Sequence, residues 1–178
     1  MKPGLWPEGA VPFGDDTGRA IFAKCGELSM PIGILANFAE HAETLETLAK
    51  DFPQTPIILD HFGSSLGAPE AHWERIKTFS RFGNTYVKCS GTEWLPERAD
   101  EAKAATLDLI RAYGADHLMF GTDFPKYPNI VADGGYQRIW ETFDEWAEDA
   151  LNDSEAEALS GGTVGRLFGF EGWETPSL

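Results

Sequence analysis

Short apolar runs alternate with longer amphipathic stretches along most of the chain. Four runs have the length of a strand: Ile32-Gly33-Ile34-Leu35, Ile57-Ile58-Leu59-Asp60, Thr85-Tyr86-Val87-Lys88-Cys89 and the run that opens at Leu118. Each is bounded by proline, glycine or polar residues, the pattern of a buried strand. Between them apolar residues recur at helical spacing. Residues 15 to 29 open on Asp15, Asp16 and Thr17, with acids at the positive end of the helix dipole. His41 to Phe52 carries Leu45, Leu48 and Ala49 and stops at Pro53. Glu70 to Phe82 sets Trp73, Ile76 and Phe79 on one side, and about Glu97 to Tyr113 sets Ala104, Leu107 and Ile110 inward before Gly114. Further on, Tyr136 to Asp149 presents Ile139, Trp140, Phe143 and Trp146. Ser154 to Leu159 reads as a short helix capped by Ser154 and broken by Gly161-Gly162.

Strands that alternate with helices of this length imply parallel pairing, because each crossover needs a helix to return the chain to the same end of the sheet. The expected fold class is α/β, in a single domain over residues 1–178. Composition narrows the partners. Of the 178 residues, 29 are acidic and 14 basic, a formal charge of −15 that repels phosphate backbones and anionic lipid. Nucleic acid and membrane surfaces are therefore not expected partners. No apolar run approaches a bilayer crossing and none follows a signal-peptide pattern, so a cytoplasmic protein is expected. Cys25 and Cys89 lack CxxC or metal-finger spacing and read as reduced, buried thiols.

Candidate chemistry sits where two strands end. Leu118-Met119-Phe120-Gly121-Thr122-Asp123-Phe124-Pro125 is an apolar run that stops at a carboxylate, and Ile57-Ile58-Leu59-Asp60-His61-Phe62-Gly63 stops at a histidine. Carboxyl ends of strands are where α/β folds and βα barrels carry their chemistry. Asp123 reads either as a turn-forming aspartate or as a general base or metal ligand. His61 reads either as a core histidine or as a metal ligand or carbonyl polariser. Lys88 and Ser90 share strand parity and can face the same side, as a solvent-seeking lysine or as contacts to a small-molecule substrate. His41 reads as a surface or capping residue, and His72 and His117 as structural ones. Trp73, Trp140 and Trp146 fall at helical spacing and read as core aromatics.

Four segments carry a resemblance: Ile58-Leu59-Asp60-His61-Phe62-Gly63, Tyr86-Val87-Lys88-Cys89-Ser90-Gly91, Leu118 to Pro125, and Gly162-Thr163-Val164-Gly165-Arg166-Leu167-Phe168. In this order and spacing the chain resembles the amidohydrolase-related proteins, from about Trp6 to Phe170. That group contains lactone hydrolases and some metal-dependent decarboxylases. The resemblance implies a (βα)8 barrel in which His61 matches the sixth-strand histidine and Asp123 the eighth-strand aspartate. It implies hydrolysis of a small carbonyl substrate such as a lactone, with decarboxylation as the alternative within the family.

Two departures from the family pattern shape the expectation. The His-x-His pair that members carry on their first strand is missing, since no two of His41, His61, His72 and His117 are two apart. A barrel of this type also runs to about 250 residues. The chain therefore reads as the carboxyl-terminal half of a barrel, about strands five to eight, truncated at its amino end, with a tail of the fourth unit at Leu5-Trp6-Pro7. With so few ligands, little or no zinc is expected on the chain alone, and very low turnover. Open sheet edges predict self-association, and a non-catalytic fragment that acts through another chain is the competing reading.

Overall fold

Isoleucine and leucine dominate the first two strands, and β-branched or apolar residues run through the other two. Such residues fit a pleated surface buried on one side. The structure, a computed structural model, describes residues 13–125 and 134–170; Leu5-Trp6-Pro7 and Pro128 lie outside them. Among the described residues, β1 (Ile32–Ile34), β2 (Ile57–Leu59), β3 (Thr85–Ser90) and β4 (Leu118–Gly121) form one parallel sheet in the order β1-β2-β3-β4. The register aligns Ile32 with Ile57 and Thr85, and Ser90 with Gly121. Each strand lies beside its predecessor, the order of a barrel wall; a doubly wound sheet reverses direction at a switch point.

The connections are helical: α1 (Asp16–Glu27), α2 (Phe38–Asp51), α3 (Glu70–Phe79), α4 (Ala99–Tyr113), α5 (Gly135–Ala150), α6 (Asp153–Glu157) and α7 (Thr163–Phe168). Alternation along each strand divides the sheet into two faces. Ile34, Ile57, Leu59, Val87, Cys89 and Leu118 point one way and join Phe38, Leu45, Ile76, Phe79, Leu109 and Phe143 in the core. Gly33, Ile58, Tyr86, Lys88 and Met119 occupy the other face, where Tyr86 and Lys88 are only half-buried.

Several boundaries differ from the sequence reading for physical reasons. Helix α2 starts at Phe38 because Asn37 caps it, its Oδ1 accepting the Ala39 N–H at 3.2 Å. His41 thus lies inside the helix, edge-on to the Phe13 ring at 5.9 Å. Helix α3 stops at Phe79, and the Thr85 hydroxyl donates to the Phe82 carbonyl at 2.7 Å beyond it. The buried face of α4 is Ala99, Ala102, Ala105, Thr106 and Leu109, not the stripe of Ala104, Leu107 and Ile110. Small residues let this helix lie close to the sheet. Asn152, not Ser154, caps α6: its Oδ1 accepts from Ser154 and Glu155, and Glu155 Oε2 accepts the Asn152 N–H, closing a capping box. Gly161 does break the helical path, as expected: its φ of 162° and ψ of −20° are non-helical, and the kink within the π-type turn at Ala158–Gly162 separates α6 from α7. Cys89 is buried as expected, whereas Cys25 is half-buried.

Candidate functional site

Three side chains meet at the carboxyl ends of β2, β3 and β4. His61 follows β2 directly, in a left-handed segment where His61, Phe62, Gly63 and Ser64 have φ of 51°, 53°, 62° and 55°. Such a conformation costs a non-glycine residue about 1–2 kcal/mol. Phe62 offsets that cost by being fully buried, worth about 1.5–3 kcal/mol for a large apolar side chain. Gly63 completes the turn, since a Cβ there would come within 2.9 Å of Ile76 Cδ1 and 3.2 Å of Phe38 Cβ. The core therefore dictates where the imidazole stands.

Ser90, fully buried at the end of β3, holds that imidazole from behind. Its Oγ lies 3.0 Å from His61 Nδ1 and its carbonyl oxygen 3.3 Å from the same nitrogen. In the tautomer that carries its proton on Nδ1, the carbonyl accepts that proton and the lone pair is on Nε2. Nε2 in turn faces Asp123 Oδ1 at 3.7 Å, too long for a hydrogen bond. Asp123 adopts φ of 59°, which aspartate tolerates better than most residues. Both side chains are largely shielded, at 18% and 23% exposure.

Lys88 lies on the face of β3 opposite the core, one strand position before the buried Cys89. Its Nζ is 2.5 Å from Asp60 Oδ1, and one step beyond the β2–β3 register the two residues stand opposite each other. Its stem crosses Gly121, where a Cβ would sit 3.5 Å from Lys88 Cδ and 3.3 Å from Ser90 Cβ. Gly91, at φ 109°, faces the same spot: a Cβ there would be 2.5 Å from Glu93 Oε2 and 3.3 Å from His61 Nδ1. The positive φ favours glycine there, and a Cβ would push the flexible Glu93 carboxylate aside. Asp60 and Glu93 are thus part of the rim, and sequence reading passed over both. Strand parity with Lys88 was the available signal for Asp60; Glu93 had none, since a short helical turn carries it back. His117 lies elsewhere, its Nδ1 2.8 Å from the carbonyl at the start of β3 and its ring stacked on Tyr86 at 4.6 Å.

Comparisons with known proteins bear on the family and the fold. The amidohydrolase family profile matches residues 3–170. The chain belongs to the amidohydrolase family. Its fold is similar to that of an amidohydrolase from Burkholderia multivorans solved with bound zinc, at 20% identity and a TM-score of 0.72, covering 87% of this chain and 58% of that one. A candidate 2-pyrone-4,6-dicarboxylic acid hydrolase from Pseudomonas putida is 25% identical with a TM-score of 0.71, over 91% of this chain and 60% of that one. A 2,6-dihydroxybenzoate decarboxylase from Rhizobium is 17% identical with a TM-score of 0.59, over 93% and 60%. At 17% and 20% identity the likeness is one of fold. The chain spans 58–60% of the length of these solved relatives.

The zinc of that relative gives a reason to test the donors present. The lone pair of His61 Nε2 and the Asp123 carboxylate oxygen repel unless a proton, a water or a cation lies between them. A divalent ion bonded to nitrogen and oxygen at about 2.0–2.2 Å spans a gap of this size at an open angle. The pair therefore fits as two ligands of a zinc-type ion. A catalytic zinc commonly has three protein ligands, and among the described residues no group of three candidate ligands comes together.

Proposed function

We propose that this chain carries the His61 and Asp123 part of a hydrolase site that acts on a small carbonyl substrate such as a lactone. One observation supports it above the others: an acid and a histidine from two non-adjacent strands converge at the carboxyl end of the sheet, with their facing atoms 3.7 Å apart. Asp123 is the group that takes the proton from the attacking water. His61, held by Ser90 at Nδ1, is oriented with Nε2 toward the reacting region, as a ligand or as a carbonyl polariser. A bound divalent ion would lower the pKa of water and polarise the carbonyl, with His61 and Asp123 among its ligands. The likeness to the Pseudomonas putida hydrolase favours hydrolysis, and the Rhizobium decarboxylase keeps decarboxylation as the alternative within the family.

The four sequential parallel strands also support reading the chain as strands five to eight of a (βα)8 wall, completed by another polypeptide segment. Ile32 N–H and the Ile34 carbonyl bond toward β2, which turns the Gly33 backbone groups to the open side of β1. Exposed Ile21, Leu28, Met30 and Leu35 belong to the elements beside this edge. Asp123→Asn tests the chemistry, because it keeps the size and removes the proton acceptor. With a first-half barrel segment supplied to restore turnover, lactone hydrolysis should fall by about 10²- to 10⁴-fold in the variant with the fold intact. Unchanged hydrolysis in the variant would show that the rim carboxylate is structural.

A further inference from the structure

His61 Nδ1 stands between two oxygens of one residue that make opposite demands on it. Ser90 Oγ lies 3.0 Å away and the Ser90 carbonyl oxygen 3.3 Å. The carbonyl can only accept, so it favours the ring with its proton on Nδ1 and a lone pair on Nε2. The hydroxyl can accept or donate, and when it donates to a bare Nδ1 the ring proton sits on Nε2. Among the described residues the Ser90 hydroxyl has no other hydrogen-bond partner. Ser90 is also fully buried, and a buried hydroxyl needs an acceptor for its hydrogen.

The ring has little freedom to resolve this conflict by turning away. His61 opens the left-handed segment, with φ of 51°, that the buried Phe62 anchors. Gly91 lies against Nδ1, where a Cβ would be 3.3 Å away, and Gly121 packs on Ser90, where a Cβ would be 3.3 Å from Ser90 Cβ. What remains free is rotation of the hydroxyl about its C–O bond.

We propose that Ser90 is a positioning residue that holds His61 in either tautomer. Accepting from Nδ1–H, it leaves a lone pair on Nε2, the state that binds a cation. Donating to Nδ1, it leaves a proton on Nε2, the state that polarises a carbonyl. The exchange is balanced by water: Nε2 takes one proton from it, Nδ1 returns one, and the ring stays neutral. The inference rests on the hydrolase reading above for its chemical use, and adds the residue that lets one fixed imidazole serve both of the roles given there.

The test reads the ring nitrogens directly, by NMR of the full chain labelled with heavy nitrogen in its histidines. No substrate or metal is added, and the pH is one above which the signals no longer move. Loss of signals in His61→Gln identifies those of His61. The unaltered chain should give a mixed pattern, with both nitrogens between their protonated and bare limits. Ser90→Ala keeps only the carbonyl, so the ratio of Nε2–H to Nδ1–H should fall about fivefold, the worth of one ordinary hydrogen bond. Ser90→Cys, whose thiol is a weak donor and acceptor, should lie between the two. A serine that merely fills space would leave the pattern unmoved. A single pure tautomer in the unaltered chain overturns the proposal, and so does a pattern that Ser90→Ala does not change. Should Ser90→Ala fail to fold, Ser90→Cys decides: a shift toward Nδ1–H supports the proposal and no shift overturns it. Because the tautomers are read in the resting protein, neither failure touches the hydrolase reading, which the Asp123→Asn assay tests.

Discussion

At the scale of single residues, burial decides what each reactive group can do. Cys89 shows this most simply: desolvation in the core pushes its thiol from 9.0 up to about 12, with the Thr106 hydrogen bond pulling slightly the other way. The sign for stability follows from proton counting. Between those two values the unfolded chain has lost the thiol proton and the folded chain has kept it, so stability falls as pH rises. The slope expected from this one group is about 1.4 kcal/mol per pH unit. Urea unfolding at a series of alkaline pH values checks it, since Cys89→Ala should show a shallower loss than the unaltered chain. Partly buried Tyr113, also raised by desolvation, contributes in the same direction to both proteins and cancels in the comparison. Thiol labelling gives a second readout: Cys25 should react in the folded protein and Cys89 only after unfolding. The sequence made both cysteines look alike, because isolation along the chain says nothing about depth.

At the scale of elements, α3 and α4 are tied together by a polar network that the helical pattern alone did not reveal. Asp108 of α4 accepts from the Trp73 indole at 2.8 Å and pairs with Lys77 of α3 at 3.1 Å. The Trp73 hydrogen bond, and after it the bond and charge of Lys77, hold the Asp108 carboxyl below its ordinary value of 3.8. A depressed acid contributes stability above its unfolded pKa and loses it as pH falls through the folded one. Asp108→Asn should therefore be less stable than the unaltered chain near neutral pH, by roughly 1 kcal/mol for a partly exposed, charge-assisted contact. The difference should shrink as the pH falls through the depressed folded value, below 3.8, and both side chains become neutral. Denaturant melts of the two proteins across that range measure it, and a difference that persists in acid would assign the loss to packing. Trp73 read correctly as a packing residue on its apolar spacing. Its indole N–H partner, 35 positions away, depends on how two helices lie against each other.

At the scale of the whole molecule, the sheet among the described residues has two edge strands, β1 and β4. The turn at Ala158–Gly162 lies against β4, whereas among the described residues no strand pairs with the outer side of β1. An unpaired edge with exposed apolar neighbours invites another strand, and a charge of −15 opposes close approach of identical chains. The proposed association predicts that sedimentation velocity finds dimers or larger species, in greater proportion at high salt, where the Debye length shrinks to a few ångströms and the repulsion is screened. A stable monomer at high concentration and high salt would count against an open edge. Leu35→Lys, which puts a charge beside that edge, should weaken association without touching the core.

The sequence by itself determined the α/β class, the four strands, their parallel pairing and the carboxyl-end positions of His61 and Asp123. Those follow from local patterns, since apolar periodicity and crossover length are properties of neighbouring residues. Family membership was legible for the same reason, in four short segments around the strand ends. Tertiary structure decided the rest. It set Ser90 behind the His61 ring, paired Lys88 with Asp60, brought Glu93 to the rim and rotated α4 onto its alanine face. These are relations between strands and helices far apart in sequence. They depend on register, on left-handed turns at His61 and Gly91 fixed by what surrounds them, and on which charges share one face of a sheet.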